Sequence, residues 1–109
     1  MAELLGNFEQ TVMLAILRVQ DPSYGRKILN QVQESLHRDV SAGSVYATLD
    51  RLETRGLLKS WLGDGTPVRG GRPRRYYSVT AEGVRALNEA HDAMAGMWKV
   101  FTWPLQVKR

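Results

Sequence analysis

The chain has 109 residues, with 15 lysines and arginines against 11 aspartates and glutamates, a net charge of +4 and no cysteine. This length holds one hydrophobic core, and the lack of cysteine excludes a disulfide framework and a thiolate metal site. No apolar run is long enough to span a bilayer and no signal-peptide pattern opens the chain. We therefore expect a cytoplasmic protein without a membrane partner.

The first predicted helix spans residues 4 to 19. Its segment from Val12 to Leu17 is apolar on all sides, which requires cover on more than one side of the helix. One interpretation is a helix at the centre of the core. The other, which we favour because so small a domain has few elements to cover it, is a helix shared between the core and a dimer interface. In that interpretation three side chains face a second chain, namely Met13, Leu14 and Leu17.

Two further helices follow. The second is predicted from Tyr24 to Leu36, with Ser23 as its N-cap, because a serine hydroxyl can accept a hydrogen bond from a free amide of the first turn. Ser41 is placed in the same way before the third helix, and Gly56 ends that helix with a residue that tolerates the left-handed conformation.

The third helix has a narrow apolar stripe, and its opposite face is small and hydrogen-bonding near the N-terminus. Such a face suits insertion into the major groove of DNA, where the first turns meet base edges. The candidate DNA contacts are Ser44, Tyr46 and Thr48 for bases and sugars and Arg51 for phosphate. Two structural alternatives stay open, since Ser44 can simply complete the helix cap and the Tyr46 ring can pack under the neighbouring loop.

Two short strands are predicted next, at Leu58–Leu62 and Arg75–Thr80. The loop between them is rich in glycine, and residues 69 to 75 contain no acid and four arginines, namely Arg69, Arg72, Arg74 and Arg75. A guanidinium that neutralises a phosphate releases condensed counterions, so this loop indicates contact with the DNA backbone. A solvated loop that happens to be basic is the open alternative. Glu53 is expected in an internal ion pair, because DNA would repel a carboxylate that faced it.

Helix, strand, basic loop and strand in this order are typical of a winged helix-turn-helix, a mainly α fold with a two-stranded β-wing. Thr80 then caps a last helix, and Trp103-Pro104 ends it. Side chains along this helix recur at spacings of three and four: Val84, Leu87, His91, Met94, Trp98 and Phe101. This a/d pattern indicates packing against a helix of a second chain. We assign residues 1–80 to a DNA-binding domain, 81–103 to a C-terminal dimerisation helix and 104–109 to a tail.

Several motifs agree in order and spacing with those of one family. They are Gly43-Ser44-Val45-Tyr46, Arg51-Leu52-Glu53, Gly56-Leu57-Leu58, and Gly71 to Thr80 followed by Gly83, with Tyr24-Gly25 upstream. Over residues 5 to 103 the chain resembles the PadR family of bacterial winged-helix transcriptional regulators. It departs from the pattern at Ala47, where many members have a proline.

The resemblance implies a homodimeric, sequence-specific repressor that binds double-stranded DNA at an inverted repeat. Small members of the family pair the first and last helices at the dimer interface, and some bind flat aromatic effectors there. A small aromatic effector is therefore a further expected partner, with contacts from Met94, Met97, Trp98 and Phe101. The open alternative is that these side chains form only the core of the dimer.

Two other classes of function compete with this one. A winged-helix adaptor that binds proteins and not DNA would more typically expose apolar patches where this chain has arginines. An enzyme is disfavoured, because His37 and His91 are far apart in sequence and no nucleophile motif or phosphate-binding glycine loop is present. No cofactor and no metal site is expected.

Overall fold

Three helices of similar length precede a two-stranded antiparallel sheet, and a longer helix follows it. The structure is a computed structural model that describes residues 3–20, 23–63 and 73–108. The elements are α1 (Asn7–Val19), α2 (Gly25–Leu36), α3 (Ala42–Thr54), β1 (Leu58–Leu62), β2 (Arg75–Val79) and α4 (Ala81–Trp98). The predicted fold class, mainly α with a two-stranded wing, is confirmed.

The core forms where α1 crosses α2 and α3. Fully buried side chains on the facing sides of the three helices pack together: Val12, Met13, Ile28, Val32, Val45, Leu49 and Leu52. Burying one such side chain contributes roughly 1.5–3 kcal/mol relative to leaving it in water. The apolar stripe predicted for α3 is the side that packs here, so its opposite face is turned to solvent.

The sequence predicts Met13 at a dimer interface, and this prediction is wrong. The Met13 side chain is fully buried in the core of its own chain. A Cβ atom on Gly83 of α4 would lie 3.1 Å from the Met13 Cε atom, so the methionine fills the space that the missing side chain leaves. The neighbouring Leu14 and Leu17 are exposed, as that prediction requires.

The start of α1 also differs from its prediction. The helix begins at Asn7, because the backbone of Gly6 is extended and not helical. The Gly6 amide donates to the Glu9 carboxylate at 3.0 Å. An acid at the third helical position commonly satisfies the amide of the N-cap residue in this way.

Ser23 has a different role from the predicted N-cap. Its hydroxyl is buried and donates to the main-chain oxygen of Ile16 at 3.3 Å and to that of Gln20. Its own carbonyl accepts from the Tyr77 amide at 2.9 Å. Ser23 therefore joins α1 to β2, and Tyr24 precedes α2 without a side-chain cap.

The strands pair in the register Leu58 with Val79 through Leu62 with Arg75. Thr80 follows β2 and caps α4 as predicted, since its hydroxyl oxygen accepts from the Gly83 amide at 3.0 Å. The same hydroxyl donates to the Gly56 carbonyl at 2.8 Å, which ties the start of α4 to the end of α3. Gly56 has a φ of +79°, the left-handed conformation expected of a glycine that ends a helix.

Only the first half of α4 packs on the core, through Leu87 and Ala90, while every side chain from His91 to Val100 is exposed. The helix ends at Trp98, before the predicted end at residue 103. The Phe101 amide donates to the Trp98 carbonyl at 3.0 Å in a tight turn ahead of Pro104. Pro104 disfavours helical geometry at Trp103, so the helix does not extend to the predicted end at that residue.

Candidate nucleic-acid interface

The recognition helix α3 begins with the predicted cap. The Ser44 amide donates to the Ser41 hydroxyl oxygen at 3.0 Å, and the Ser41 hydroxyl donates to the Ser44 hydroxyl at 2.8 Å. Ser44 thus takes part in the cap, the alternative that the sequence left open, and its side chain is still exposed beside the first turn.

Thr48 does not lie on the exposed face, and the structure differs here from the predicted base contact. Its side chain is 3% exposed and lies between Val45 and Leu52 on the packed side of α3. Its hydroxyl oxygen accepts from the Arg51 guanidinium at 3.3 Å. The role of Thr48 is therefore to support Arg51.

The Tyr46 ring lies against α2 at the edge of the exposed face. A Cβ atom on Gly25 would lie 2.5 Å from Cε1 of this ring, so the glycine permits the close approach. Tyr46 remains 40% exposed. It lines a surface notch of about 310 Å³ together with Tyr24, Gly25, Arg26, Arg74, Arg75 and Tyr77. The ring thus packs beside the base of the wing and is still accessible from outside.

The base of the wing is an aromatic stack with a cation on it. The Tyr76 ring lies between Trp61, with which it stacks, and Tyr24, which it meets edge-on, each at a centroid distance of 6.1 Å. The Arg74 guanidinium lies 4.2 Å from the centroid of the Tyr24 ring. Such a cation–π contact directs the guanidinium and leaves its N–H groups available. Three other arginines are predicted to contact DNA from the wing. Arg69 and Arg72 lie outside the described residues, and Arg75 is the first residue of β2.

Arg75 and Glu53 are connected through Ser60. The Arg75 guanidinium donates to the Ser60 hydroxyl oxygen at 2.9 Å, and that hydroxyl donates to the Glu53 carboxylate at 2.6 Å. Among the described residues Glu53 forms this hydrogen bond and not the direct ion pair that we predicted. The two charges are thus linked across α3, β1 and β2, and the Arg75 guanidinium is tethered to the strands although the residue is exposed.

Glu9 contributes to this surface, and sequence reasoning missed it. Its carboxylate lies 3.7 Å from Nε of Arg51 and 3.3 Å from Nη1 of Arg55. An acid in the first turn of α1 was the only available signal, since no sequence pattern relates residues so distant in the chain. Glu9 therefore restrains Arg51 of α3 and Arg55, the residue that follows the helix.

Tyr77, the buried tyrosine of β2, faces the same junction. Burial raises the pKa of its phenol, and the carboxylate of Asp50 raises it further. The Arg75 guanidinium acts in the opposite direction. The phenol therefore stays protonated to higher pH than a tyrosine in water.

A second surface lies between α1 and α4. A groove of about 440 Å³ there is lined by Gln10, Leu14, Leu87, Asn88, Ala90, His91, Met94, Ala95 and Trp98. Of the candidate effector contacts it contains Met94 and Trp98, whereas Met97 and Phe101 are exposed outside it. Phe101 lies beyond the end of α4, and the Trp98 ring meets Trp103 edge-on at 5.2 Å.

The candidate interface residues of α4 divide into two groups. Leu87 is predicted to lie at the dimer interface, but its side chain is buried against the core of its own chain. Val84, His91, Met94 and Trp98 are exposed.

No helix of the described residues is long and apolar enough to cross a membrane. The part of the chain that the structure describes also contains no group of three or more acidic, histidine or cysteine side chains placed to hold a metal ion.

A capped helix with a free polar face, beside a two-stranded wing with arginine at its base, defines a winged helix-turn-helix DNA-binding protein. The model of the transcriptional regulator PadR-like family matches residues 13–89. The chain belongs to this family, which comprises transcriptional regulators and not enzymes.

Solved structures of the same family are similar over most of the chain. A PadR-like transcription factor from Bacteroides fragilis is 27% identical, covers 84% of each chain and gives a TM-score of 0.70. A PadR-family regulator from Eggerthella lenta is 31% identical over 81% of this chain and 74% of its own, with a TM-score of 0.64. One from Clostridium difficile is 29% identical over 86% and 94%, with a TM-score of 0.65. Among curated protein sequences no significant match is found.

Proposed function

We propose that this regulator is a homodimeric, sequence-specific repressor that acts in the cytoplasm, reads an inverted repeat and is released by a small aromatic effector. One observation carries the DNA part of the proposal, namely the free face of α3 beside the Arg74 guanidinium on Tyr24. A helix face with small polar side chains fits a major groove, and an adjacent cation fits the flanking phosphate.

The proposal assigns residues 1–80 to DNA binding, 81–103 to dimerisation and 104–109 to a tail. The exposed half of α4 supports the dimer, because Met94, Trp98 and Leu14 of α1 leave a large apolar surface uncovered in one chain. Apolar patches of this kind mark association sites. Two recognition helices about 34 Å apart would then read successive major grooves on one side of the duplex.

The groove between α1 and α4 supports the effector. Leu14, Met94 and Trp98 line it, and its volume of about 440 Å³ is in the range of small-molecule sites. A planar apolar compound would stack on the Trp98 indole. Met97 and Phe101 lie outside the groove of one chain, so their part in binding would require the second chain.

The test is binding to the DNA upstream of the protein's own gene, titrated across salt and compared with random duplex. Arg72→Ala with Arg74→Ala should lower the affinity and reduce the slope of log affinity against log salt by about one for each phosphate that is no longer neutralised. Lys108→Ala removes a positive charge in the tail, outside both the DNA-binding and the dimerisation segments, and should leave the slope unchanged.

A winged-helix adaptor is the second candidate, and one observation favours it. Trp61 and Leu62 on β1 are both exposed, an apolar patch beside the wing that a protein partner could cover. If wild type binds the upstream DNA no better than random duplex, with and without candidate effectors, the adaptor replaces the regulator that we propose.

A further inference from the structure

The centre of the exposed face of α3 is a line of four residues: Gly43, Ala47, Asp50 and Thr54. They recur at spacings of four, three and four, which places them on one side of a helix. All four are exposed, and a Cβ atom on Gly43 would meet no atom within 4 Å. This line lies on the side of α3 opposite the core stripe of Val45, Leu49 and Leu52, with Asp50 on the flank toward Tyr77 of β2.

Asp50 is the only charged side chain on that line. Gly43 and Ala47 carry nothing beyond Cβ, so the first two turns of the helix can approach another surface closely. The Thr54 hydroxyl donates to the Asp50 carbonyl oxygen at 3.0 Å and is occupied by its own helix. Of the four residues on this line, Asp50 is therefore the one with a side-chain hydrogen-bonding group not taken up by its own helix.

The other carboxylates near α3 are engaged. Glu9 lies against Arg51 and Arg55, and Glu53 accepts from Ser60. For Asp50, by contrast, the described residues provide neither an ion pair nor a hydrogen bond to the carboxylate. An exposed acid is ordinarily a solvated surface charge, but this one lies where the proposed function puts DNA.

We infer that Asp50 is a specificity-determining residue whose carboxylate accepts a hydrogen bond from the N4 amino group of a cytosine in the major groove. The inference rests on the proposed DNA-binding function and names one base of its operator. It adds a base contact to those expected from Ser44 and Tyr46, and it comes from the middle of the helix.

The chemistry of the base edges selects cytosine. An ionised carboxylate only accepts hydrogen bonds. In the major groove guanine presents the acceptors N7 and O6, and thymine presents the acceptor O4 and a methyl group. Adenine presents an N6 donor, but the N7 acceptor beside it repels a carboxylate. Cytosine N4 is the donor without such a neighbour on its own base.

The same carboxylate discourages binding to other sequences. Near a duplex without the cytosine it meets the negative potential of the phosphates and base acceptors without an amino group to compensate. Specificity is a difference between affinities, and a repulsive element against wrong partners contributes to it as much as an attractive contact does. Asp50 would thus strengthen binding to a site with the cytosine and weaken binding to sites without it.

The experiment selects bound sequences from a randomised duplex pool with wild type, Asp50→Ala, Asp50→Asn and the charge-matched control Glu34→Gln on α2. Wild type and the control should enrich a cytosine at one position of each half-site. Asp50→Ala should lose the preference at that position, bind the selected site about tenfold more weakly and bind random duplex more tightly. Asp50→Asn should prefer adenine there, because an amide pairs with adenine N6 and N7.

The outcomes separate this inference from the function on which it rests. A wild type that enriches no sequence overturns the proposed function. A wild type that selects a site, together with an Asp50→Ala variant that keeps the same preference at every position, overturns the inference about Asp50 alone. The same is true if Asp50→Ala binds selected and random duplex more tightly by equal factors, since Asp50 would then only repel DNA. Thermal unfolding monitored by circular dichroism verifies that each variant is folded.

Discussion

The carboxylate of Glu9 on α1 lies 3.7 Å from Nε of Arg51 on the recognition helix. The Glu9 side chain is 17% exposed and that of Arg51 is 56% exposed, so the acid is anchored while the arginine extends toward solvent. Glu9 also accepts from the Gly6 amide, which fixes its position at the start of α1. A phosphate that recruits Arg51 must therefore compete with a carboxylate already in place.

Glu9→Gln should strengthen binding to random duplex. The glutamine side chain keeps an oxygen that can accept from the Gly6 backbone N–H, but it lacks the charge that attracts Arg51 and Arg55. These two arginines are then free to bind phosphate. We expect the slope of log affinity against log salt to steepen by about one for each additional phosphate that these arginines neutralise. The measurement is fluorescence anisotropy with a labelled random duplex over a range of salt.

Glu89→Gln on α4 is the matched control, because it removes one negative charge from an exposed side chain in another helix. Its salt slope should equal that of wild type. If Glu9→Gln and Glu89→Gln behave alike, Glu9 does not restrain Arg51 in solution and its role is limited to the start of α1.

Much of the fold could be predicted because local signals determine it. Ser41, Gly56 and Thr80 mark helix ends through hydrogen bonds and a backbone conformation that involve near neighbours. Their positions could therefore be read from residue type and spacing. The strands at Leu58–Leu62 and Arg75–Val79 agree with the prediction for the same reason.

The placement of single side chains depends on contacts between distant elements, which local patterns do not contain. Met13 and Leu14 are adjacent and both apolar, and the space beside Gly83 determines that Met13 is the one in the core. The polar character of Thr48 predicts an exposed side chain, yet the rotation of α3 on the core buries it. The contact of Glu9 with Arg55 joins residues 46 positions apart, beyond any periodicity.

Gly83→Ala and Gly43→Ala should have opposite effects on stability although the substitution is the same. A Cβ atom on Gly83 would lie 2.7 Å from Cγ1 of Val79 and would also clash with the main-chain oxygen of Leu57, which cannot move without the end of α3. We expect a loss of about 1–3 kcal/mol in the free energy of unfolding. Gly43 faces open space within α3, where alanine should add about 0.5–1 kcal/mol.

Urea denaturation of the two variants at one pH provides the comparison with wild type. Equal small effects at both positions would contradict the close packing of α4 on the turn after α3. The Gly43 variant also serves as the control for any general effect of replacing a helical glycine by alanine.

Tyr77 should make the stability depend on pH in the alkaline range. Its pKa is raised in the folded chain, first by burial and then by Asp50. Above the ordinary tyrosine pKa of about 10 the unfolded chain therefore loses the phenol proton before the folded chain does. The contribution is fully present below that pH and is lost as pH rises through the pKa of the folded state.

The free energy of unfolding of wild type, minus that of Tyr77→Phe, should therefore fall as pH is raised from neutral through this range. The subtraction removes the titration of groups that the two proteins share. Asp50→Asn should reduce the fall, because one cause of the raised pKa is then absent. A difference that stays constant with pH would mean that Tyr77 titrates alike in both states.

The exposed half of α4 predicts an effect of charge on association. Met94→Glu places a carboxylate in the apolar surface that we assign to the dimer, and burying an unpaired charge is costly. We expect the variant to be monomeric at concentrations where wild type is dimeric, and to bind the operator more weakly. Val107→Glu adds the same charge at a position that is 91% exposed in the tail and should remain dimeric. Sedimentation equilibrium distinguishes the two, and a wild type that is itself monomeric would contradict the proposed dimer.

The groove between α1 and α4 predicts where an aromatic effector binds. In a Trp61→Phe, Trp103→Phe background Trp98 is the remaining tryptophan, so its emission reports on this groove. Planar apolar compounds that stack on the indole should quench this emission and lower the affinity for DNA. Leu14→Ala should weaken the quenching because Leu14 lines the groove, whereas Met97→Ala should weaken it less because Met97 lies outside the groove of its own chain. If no member of a broad panel changes the Trp98 emission, the exposed indole has a role in association alone, and repression by this protein is not released through the groove.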